Sequence, residues 1–377
     1  MKQATKPQNP FLLSGYVSPE FFCDREMESK KLISALRNGR NITLVSPRRM
    51  GKTCLIRHIF HLVGQEGHER CYLVDLYQTD SLAGFVSKLA GTVIGTLDTT
   101  GERLLKTIGT FFKSLRPVFT IDPQTGEPGL SIDVQPDFAE QSLAEFFSYM
   151  EQSGKKCFLA FDEFQRVAEY DDRNVEALLR SHIQHLTNVH FIFSGSQRQV
   201  LENMFTSANR PFYQSTQMVN LDSIKEEAYY QFAVDKLERH RQHIDKTTFG
   251  DIYHRLYGHT WYIQVLLNRL YEAEISQIGR ADVNGLLHEI VDENEATFQT
   301  LLRLITPAQR KVLRAVAAEQ EVTEINGKSF ISRHKLGAAS TVNAVVKSLV
   351  EKELLLEHNG SYSVYDRFLS LYLRSNV

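Results

Sequence analysis

The sequence predicts an α/β protein: a parallel sheet covered by helices on both faces (αβα), followed by an α-helical domain and a C-terminal winged helix-turn-helix. Three observations carry this reading. Short apolar runs alternate with helical patterns through the first half of the chain, the period turns purely helical from Ser223, and the last segment pairs helices with short β-like ends.

Residues 1–20 are polar and broken by Pro7, Pro10 and Pro19, which reads as an N-terminal arm. The core is expected over residues 21–222. A helix begins after Asp24, and the apolar runs from Ile42 to Val45 and from Cys71 to Leu76 are buried strands with helical patterns on either side. Alternating residues from Val118 to Ile121 and from Leu130 to Val134 flank the turn-forming stretch Asp122 to Gly126, so a β-hairpin is inserted near 117–136. Further strands are expected from Cys157 to Phe161, Val189 to Phe193 and Gln217 to Leu221. Residues 223–300 keep a helical period through Tyr229, Phe232, Leu237, Ile252, Leu256, Ile263 and Leu267, forming a lid domain with no strand before residue 315. Residues 301–377 complete the chain with helices near Pro307 to Ala318, Ser332 to Gly337 and Ser340 to Lys352. Strand-like ends lie at Leu354 to Glu357 and Tyr362 to Val364, the order of a winged helix.

The chemistry starts between the first strand and the helix after it. Ser46, Pro47, Arg48, Arg49, Met50, Gly51, Lys52 and Thr53, with Cys54 following, occupy the place of a phosphate-binding P-loop, which makes the sheet that of a P-loop NTPase. In such a loop successive backbone amides wrap a phosphate and the helix directs its positive end at the same charge. Gly51 allows close approach, Lys52 reaches the β and γ phosphates of ATP, and the Thr53 hydroxyl is a ligand for Mg2+. Ser46 stands where the usual pattern has its first glycine. Arg48 and Arg49 either attract the nucleotide or pair with neighbouring acids. A second copy of the triplet, Gly327-Lys328-Ser329, follows a polar stretch and reads as a plain turn.

Phosphoryl transfer also needs a carboxylate for the metal and a group that orients water. Asp162 and Glu163 close the apolar run from Phe158 to Phe161, which delivers them to the carboxyl edge of the sheet, where open α/β sheets place ligands. Asp162 is expected to share the metal with Thr53, and Glu163 to polarise the attacking water. Ser194 and Ser196 end the next strand, in reach of the γ-phosphate or that water, though turn chemistry accounts for Ser194-Gly195-Ser196 equally well. Arg198 and Arg210 are arginine-finger candidates, with surface solvation as the alternative.

Composition narrows the class. The 377 residues are 42% hydrophobic with 43 Lys and Arg against 45 Asp and Glu, a net charge of −2 that suits soluble globular domains and gives no general attraction to nucleic acid or anionic membrane. Four widely spaced cysteines (Cys23, Cys54, Cys71, Cys157) match no zinc pattern and read as packing residues in a reducing cytoplasm. Neither an apolar run of about 18 residues nor a signal segment occurs, so no membrane partner is expected.

Taken together, these segments resemble the archaeal-type ATPase family, a branch near the STAND and AAA+ P-loop ATPases. The resemblance rests on Phe22-Cys23-Asp24-Arg25-Glu26-Met27-Glu28, Ser46 to Thr53, Asp162-Glu163-Phe164-Gln165, Ser194-Gly195-Ser196, Gly258-His259-Thr260-Trp261-Tyr262 and Tyr362 to Leu369, in the expected order. It implies that Phe22, Asp24 and Arg25 contact adenine and ribose; a helix cap by Asp24 is the bland alternative. The chain departs from the pattern at His259-Thr260, where a proline is usual, and at Gln214-Ser215, where an arginine is usual. No nuclease-like domain follows the winged helix, so no nuclease activity is expected.

Three functions fit. One is a Mg2+-dependent ATPase acting as a nucleotide-driven switch. The second adds double-stranded DNA as partner through residues 332–352; from residue 306 onward ten Lys and Arg stand against seven Asp and Glu, a slight positive excess, with only Lys347 and Lys352 basic on the recognition helix itself. The third is a nucleotide-stabilised scaffold for a protein effector, with little hydrolysis. Each is compatible with an oligomer, and nothing in the helical region suggests the acceptor pocket of a metabolic kinase.

Overall fold

The computed structural model describes residues 7–97, 114–121, 128–172, 174–358 and 360–375, and these fall into two compact units: Ser14–Tyr229, and Pro7–Leu13 together with Tyr230–Val377. In the first unit, strands β1 (Ile42–Val45), β2 (Arg70–Asp75), β5 (Cys157–Asp162), β6 (Val189–Gly195) and β7 (Gln217–Asn220) form one parallel sheet in the order β2-β5-β6-β1-β7. A hairpin of β3 (Leu115–Ile121) and β4 (Pro128–Val134) stands apart from it, antiparallel, with Leu115 opposite Val134 and Ile121 opposite Pro128. Its expected turn at Asp122 to Gly126 lies outside the described residues.

Strand alternation sends each apolar run to two cores. Phe158, Ala160 and Ile192 face helices α1 (Glu26–Arg37) and α2 (Lys52–Glu66), meeting Leu32, Leu36, Leu55, Ile56, Ile59 and Val63. The residues between them, Leu159, Phe161, Phe191 and Phe193, face the other side, where α3 (Leu82–Leu97) supplies Phe85 and Leu89 and α4 (Ala139–Gln152) supplies Phe146. Every strand position of β5 is buried, because both faces are covered. Each such Leu or Phe is worth about 1.5–3 kcal/mol in transfer from water. The register holds Asp75 level with Asp162 and Val45 level with Gly195, so the functional ends of four strands share one edge.

The second unit is helical, with one addition that the sequence did not suggest: a two-residue parallel pair, β8 (His243–Ile244) with β9 (Gln277–Ile278). Asp245 caps the helix Lys246–Arg255, accepting from Thr248 N at 2.8 Å. Part of the N-terminal arm belongs here. Phe11 is fully buried edge-on between the rings of Phe232 and Tyr271, while Asn9 Nδ2 donates to Asn268 O and Asn268 Nδ2 donates to Phe11 O.

The winged helix comprises helices Pro307–Glu319, Lys328–His334 and Ala339–Glu351, the hairpin β10 (Leu355–His358) with β11 (Ser361–Val364), and the helix Arg367–Ser375. Thr306 and Gln309 form a capping box at its first helix, each side chain bonding the other's amide. Two expectations need correction. The middle helix lies earlier than 332–337, starting at Lys328 and stopping at His334 because Lys335 turns left-handed at φ 52°. Gly327-Lys328-Ser329 is therefore the opening of a helix, with Gly327 at the N-cap, and not a plain turn.

Candidate nucleotide site

The loop between β1 and α2 carries two left-handed residues, Arg49 at φ 62° and Gly51 at φ 94°. The second is where glycine matters, since the α-carbon of Gly51 also faces open space and leaves the neighbouring amides approachable. Ser46 is not left-handed, so its backbone makes no demand for the glycine usual at that position. Its hydroxyl is used instead. Lys52, 6% exposed, points its ammonium back into the loop, donating to Ser46 O at 2.9 Å, Ser46 Oγ at 3.1 Å and Pro47 O at 3.1 Å. Met50 is buried beneath the loop, and Cys54 Sγ donates to Gly15 O at 3.2 Å.

The acidic pair splits into two networks. Asp162, 5% exposed, accepts the Thr53 hydroxyl on Oδ2 at 2.5 Å and the fully buried Ser194 hydroxyl on Oδ1 at 2.6 Å. Glu163 follows in a left-handed turn at φ 56°, which swings its carboxylate away from Asp162 toward Ser196. Glu163 Oε2 accepts from Gln165 Nε2 at 2.5 Å, Ser196 Oγ at 2.7 Å and Ser196 N at 3.3 Å, and Arg48 Nε donates to Ser196 Oγ at 3.3 Å. Thus Lys52, Thr53, Asp162, Glu163, Ser194 and Arg48 all gather at the sheet edge.

The other candidates lie elsewhere. Phe22 stacks on His58 of α2 with centroids 4.3 Å apart, and the Tyr16 hydroxyl meets His58 Nδ1 at 3.1 Å. Burial pushes the Tyr16 phenol up to about 12 and the Cys54 thiol upward, and, with His61 nearby, holds His58 below its usual range. Arg25 is 3% exposed and commits its guanidinium to Glu28 Oε1 at 2.8 Å and to Asp222 O at 2.5 Å. The capping role weighed for Asp24 does not occur: Arg25 holds the N-cap position and no side chain caps α1. Arg210 pairs with Glu176 at 2.5 Å and Arg198 with Glu202 at 2.8 Å, so both finger candidates are engaged within the unit. None of the four cysteines forms a disulfide, and burial pushes the thiols of Cys71 and Cys157 up to about 12 and about 11.

Tyr16, His58 and Gln165 received no role from sequence. His58 and His61 had a visible signal, lying four and seven residues after Cys54 on one face of α2.

The donor set suits a magnesium nucleotide. Mg2+ is held by hard oxygens, usually one or two carboxylates with phosphates completing the shell, and Thr53 with Asp162 offers a hydroxyl and a carboxylate already in contact. Among the described residues no group of three or more His, Cys, Asp or Glu could hold a metal without such phosphates. No described helix is long and apolar enough to cross a membrane.

Comparisons with known proteins bear on the family and the fold. Residues 22–266 match a family described as an ATPase domain predominantly from Archaea, and residues 296–375 match a winged helix domain. Among solved structures, the Walker-type ATPase of Pyrococcus abyssi is similar at 19% identity and TM-score 0.66, over 97% of this chain and 99% of that one. The ORC2 protein of Aeropyrum pernix, in ADPNP-ADP complexes, is similar at 14% identity and TM-score 0.57, over 98% and 97%. The ORC1 protein of the same organism, in complex with DNA, follows at 12% identity and TM-score 0.53, over 98% and 96%. At these identities the likeness is one of fold, and no curated protein matches. With most of the chain inside one family's match and a phosphate loop facing an acidic strand end, the protein belongs to the archaeal-type ATPase family and carries a C-terminal winged helix domain.

Proposed function

We propose that the protein binds ATP with Mg2+ and hydrolyses it to ADP and phosphate, using the cycle as a conformational switch. The observation that carries this reading is the shared carboxylate: Asp162 takes the Thr53 hydroxyl on one oxygen and the Ser194 hydroxyl on the other, with Glu163 next in the chain. Lys52 is stored against Ser46 and Pro47 carbonyls, a set of oxygens that the β and γ phosphates replace with charged ones, which make stronger hydrogen bonds. Glu163 orients water and accepts its proton as the water oxygen bonds to the γ-phosphorus and the bond to the β-phosphate oxygen breaks. Magnesium, held by Thr53 and Asp162, would supply charge neutralisation across the two phosphates. Glu163→Gln should bind ATP and fail to turn it over; unimpaired hydrolysis by that variant would overturn the reading.

Double-stranded DNA is a second partner to test. The helix Ala339–Glu351 buries Val342, Val346 and Leu349 and exposes Thr341, Asn343 and Lys347, a polar face of the kind a recognition helix uses. Arg333 and His334 are tied to Glu319, at 2.5 and 2.7 Å, so the cationic surface is thin. Hydrolysis measured with and without duplex DNA separates three readings: stimulation by DNA, turnover indifferent to DNA, and the scaffold alternative of bound nucleotide without turnover, whose target is a protein effector or a second copy of the chain.

A further inference from the structure

The mechanism leaves one buried polar side chain without a task. Gln165 is 2% exposed, and its Oε1 has no hydrogen-bond partner among the described residues, a state that is unfavourable unless another interaction offsets it. Its Nε2 makes the short bond to Glu163 Oε2. The strand end opposite is shaped around it: a methyl group placed on Gly195 would overlap Gln165 Oε1 and lie 3.1 Å from Gln165 Cδ. Glycine at 195 is therefore the residue that lets the glutamine pass beneath β6 to reach the carboxylate.

Three donors converge on Glu163 Oε2, from Gln165 Nε2, Ser196 Oγ and Ser196 N, while Oε1 takes no hydrogen bond among the described residues. Because the Ser196 hydroxyl has one proton, giving it to Glu163 leaves its lone pairs for the Arg48 guanidinium of the phosphate loop. We infer that Gln165 and Ser196 are positioning residues for ATP hydrolysis: they clamp one oxygen of Glu163 and leave the other for water, and Arg48 ties that clamp to the loop that receives the phosphates. This rests on the reading of Glu163 as the group that activates water. A residue that orients a proton acceptor changes turnover and leaves substrate binding alone.

The test is steady-state hydrolysis of MgATP by the full chain, alongside ADP affinity. Gln165→Ala should lower kcat about tenfold or more with KM and ADP affinity within about twofold of the parent. Ser196→Ala should lower kcat as well, and Ser196→Thr, which keeps the hydroxyl, should restore most of it. Gly195→Ala should reproduce the Gln165→Ala defect, and the double variant should be no slower than either single one, because the methyl group acts only by displacing an amide already removed. Multiplying losses in the double variant, or parental kcat in Gln165→Ala, overturns the inference. Should Gln165→Ala fail to fold, the Ser196 pair decides alone: equal kcat in Ser196→Ala and Ser196→Thr defeats it. Glu163→Gln, run in parallel, keeps the two claims apart, since its full activity would defeat the water-activating reading, whereas an inactive Glu163→Gln beside an unimpaired Gln165→Ala defeats only the clamp.

Discussion

Thr53 and Asp162 lie 109 residues apart in the chain and are joined by one hydrogen bond of 2.5 Å, which fixes the first turn of α2 to the end of β5. The bond sets two hard oxygens side by side. Thr53→Ala should therefore remove most of the dependence of ADP affinity on magnesium: chelating the metal with EDTA weakens binding in the parent and changes little in the variant, as read by calorimetric titration. Thr53→Ser keeps the hydroxyl and should retain the dependence.

Lys52 holds the loop itself together through hydrogen bonds to the loop's backbone and to the Ser46 hydroxyl. Its three acceptors, Ser46 O, Ser46 Oγ and Pro47 O, lose this donor in Lys52→Ala; Pro47 O keeps the Ser46 hydroxyl, whereas a carbonyl such as that of the buried Ser46 costs about 1–3 kcal/mol when it loses its partner. The variant should melt below the parent even without nucleotide. It should also show no rise in melting temperature on adding ADP, where the parent rises by mass action. A variant that melts like the parent in the absence of nucleotide would refute the structural half of this claim.

Much of this arrangement is legible before any coordinates. The run from Cys157 to Phe161 is apolar at consecutive positions, as strands covered on both faces are, the runs at Ile42 and Val189 are broken only by Thr43 and His190, and the loop residues and Asp162 are placed by their sequence neighbours. What escapes is long-range or very short. The bonds to Glu163 come from Ser196, 33 positions on, and depend on a left-handed turn that no period reports. The β8–β9 pair has two residues per strand, too few to show alternation. The middle helix of the winged domain was displaced because Gly327 reads as a breaker, although at an N-cap it costs only a few tenths of a kcal/mol.

Three histidines of the first unit are held below their usual range, in each case by burial first: His58 with His61 adding to it, His182 with His185, and His190 with Lys156. A group that resists protonation when folded binds fewer protons in the native state than in the unfolded chain. Between its depressed folded pKa and the unfolded value near 6.5, stability then rises with pH and is lost as pH falls. Denaturant unfolding should thus show a lower midpoint at pH 5.5 than at pH 7. His58→Gln should flatten part of that slope, and an unchanged slope would assign the dependence to other groups.

Phe11 shows how tightly part of the arm is bound to the second unit. The ring is fully buried and meets Phe232 and Tyr271 edge-on with centroids 6.1 Å away in both cases, and its backbone is held by Asn268 Nδ2 donating to Phe11 O while Asn9 Nδ2 donates to Asn268 O. Removing a buried aromatic ring costs about 3–5 kcal/mol when the site cannot collapse around the gap, and edge-on ring pairs contribute about 0.5–1.5 kcal/mol beyond the area they bury. Phe11→Ala should lower the unfolding transition of the helical unit by an amount in that range. Phe11→Leu, which refills most of the volume without the ring edges, should recover more than half of the loss. Proteolysis at the arm offers a second readout: cleavage near Ser14 should quicken in Phe11→Ala and stay slow in Phe11→Leu. An alanine variant as stable and as protease-resistant as the parent would mean that the segment lies on the helical unit without adding to its stability.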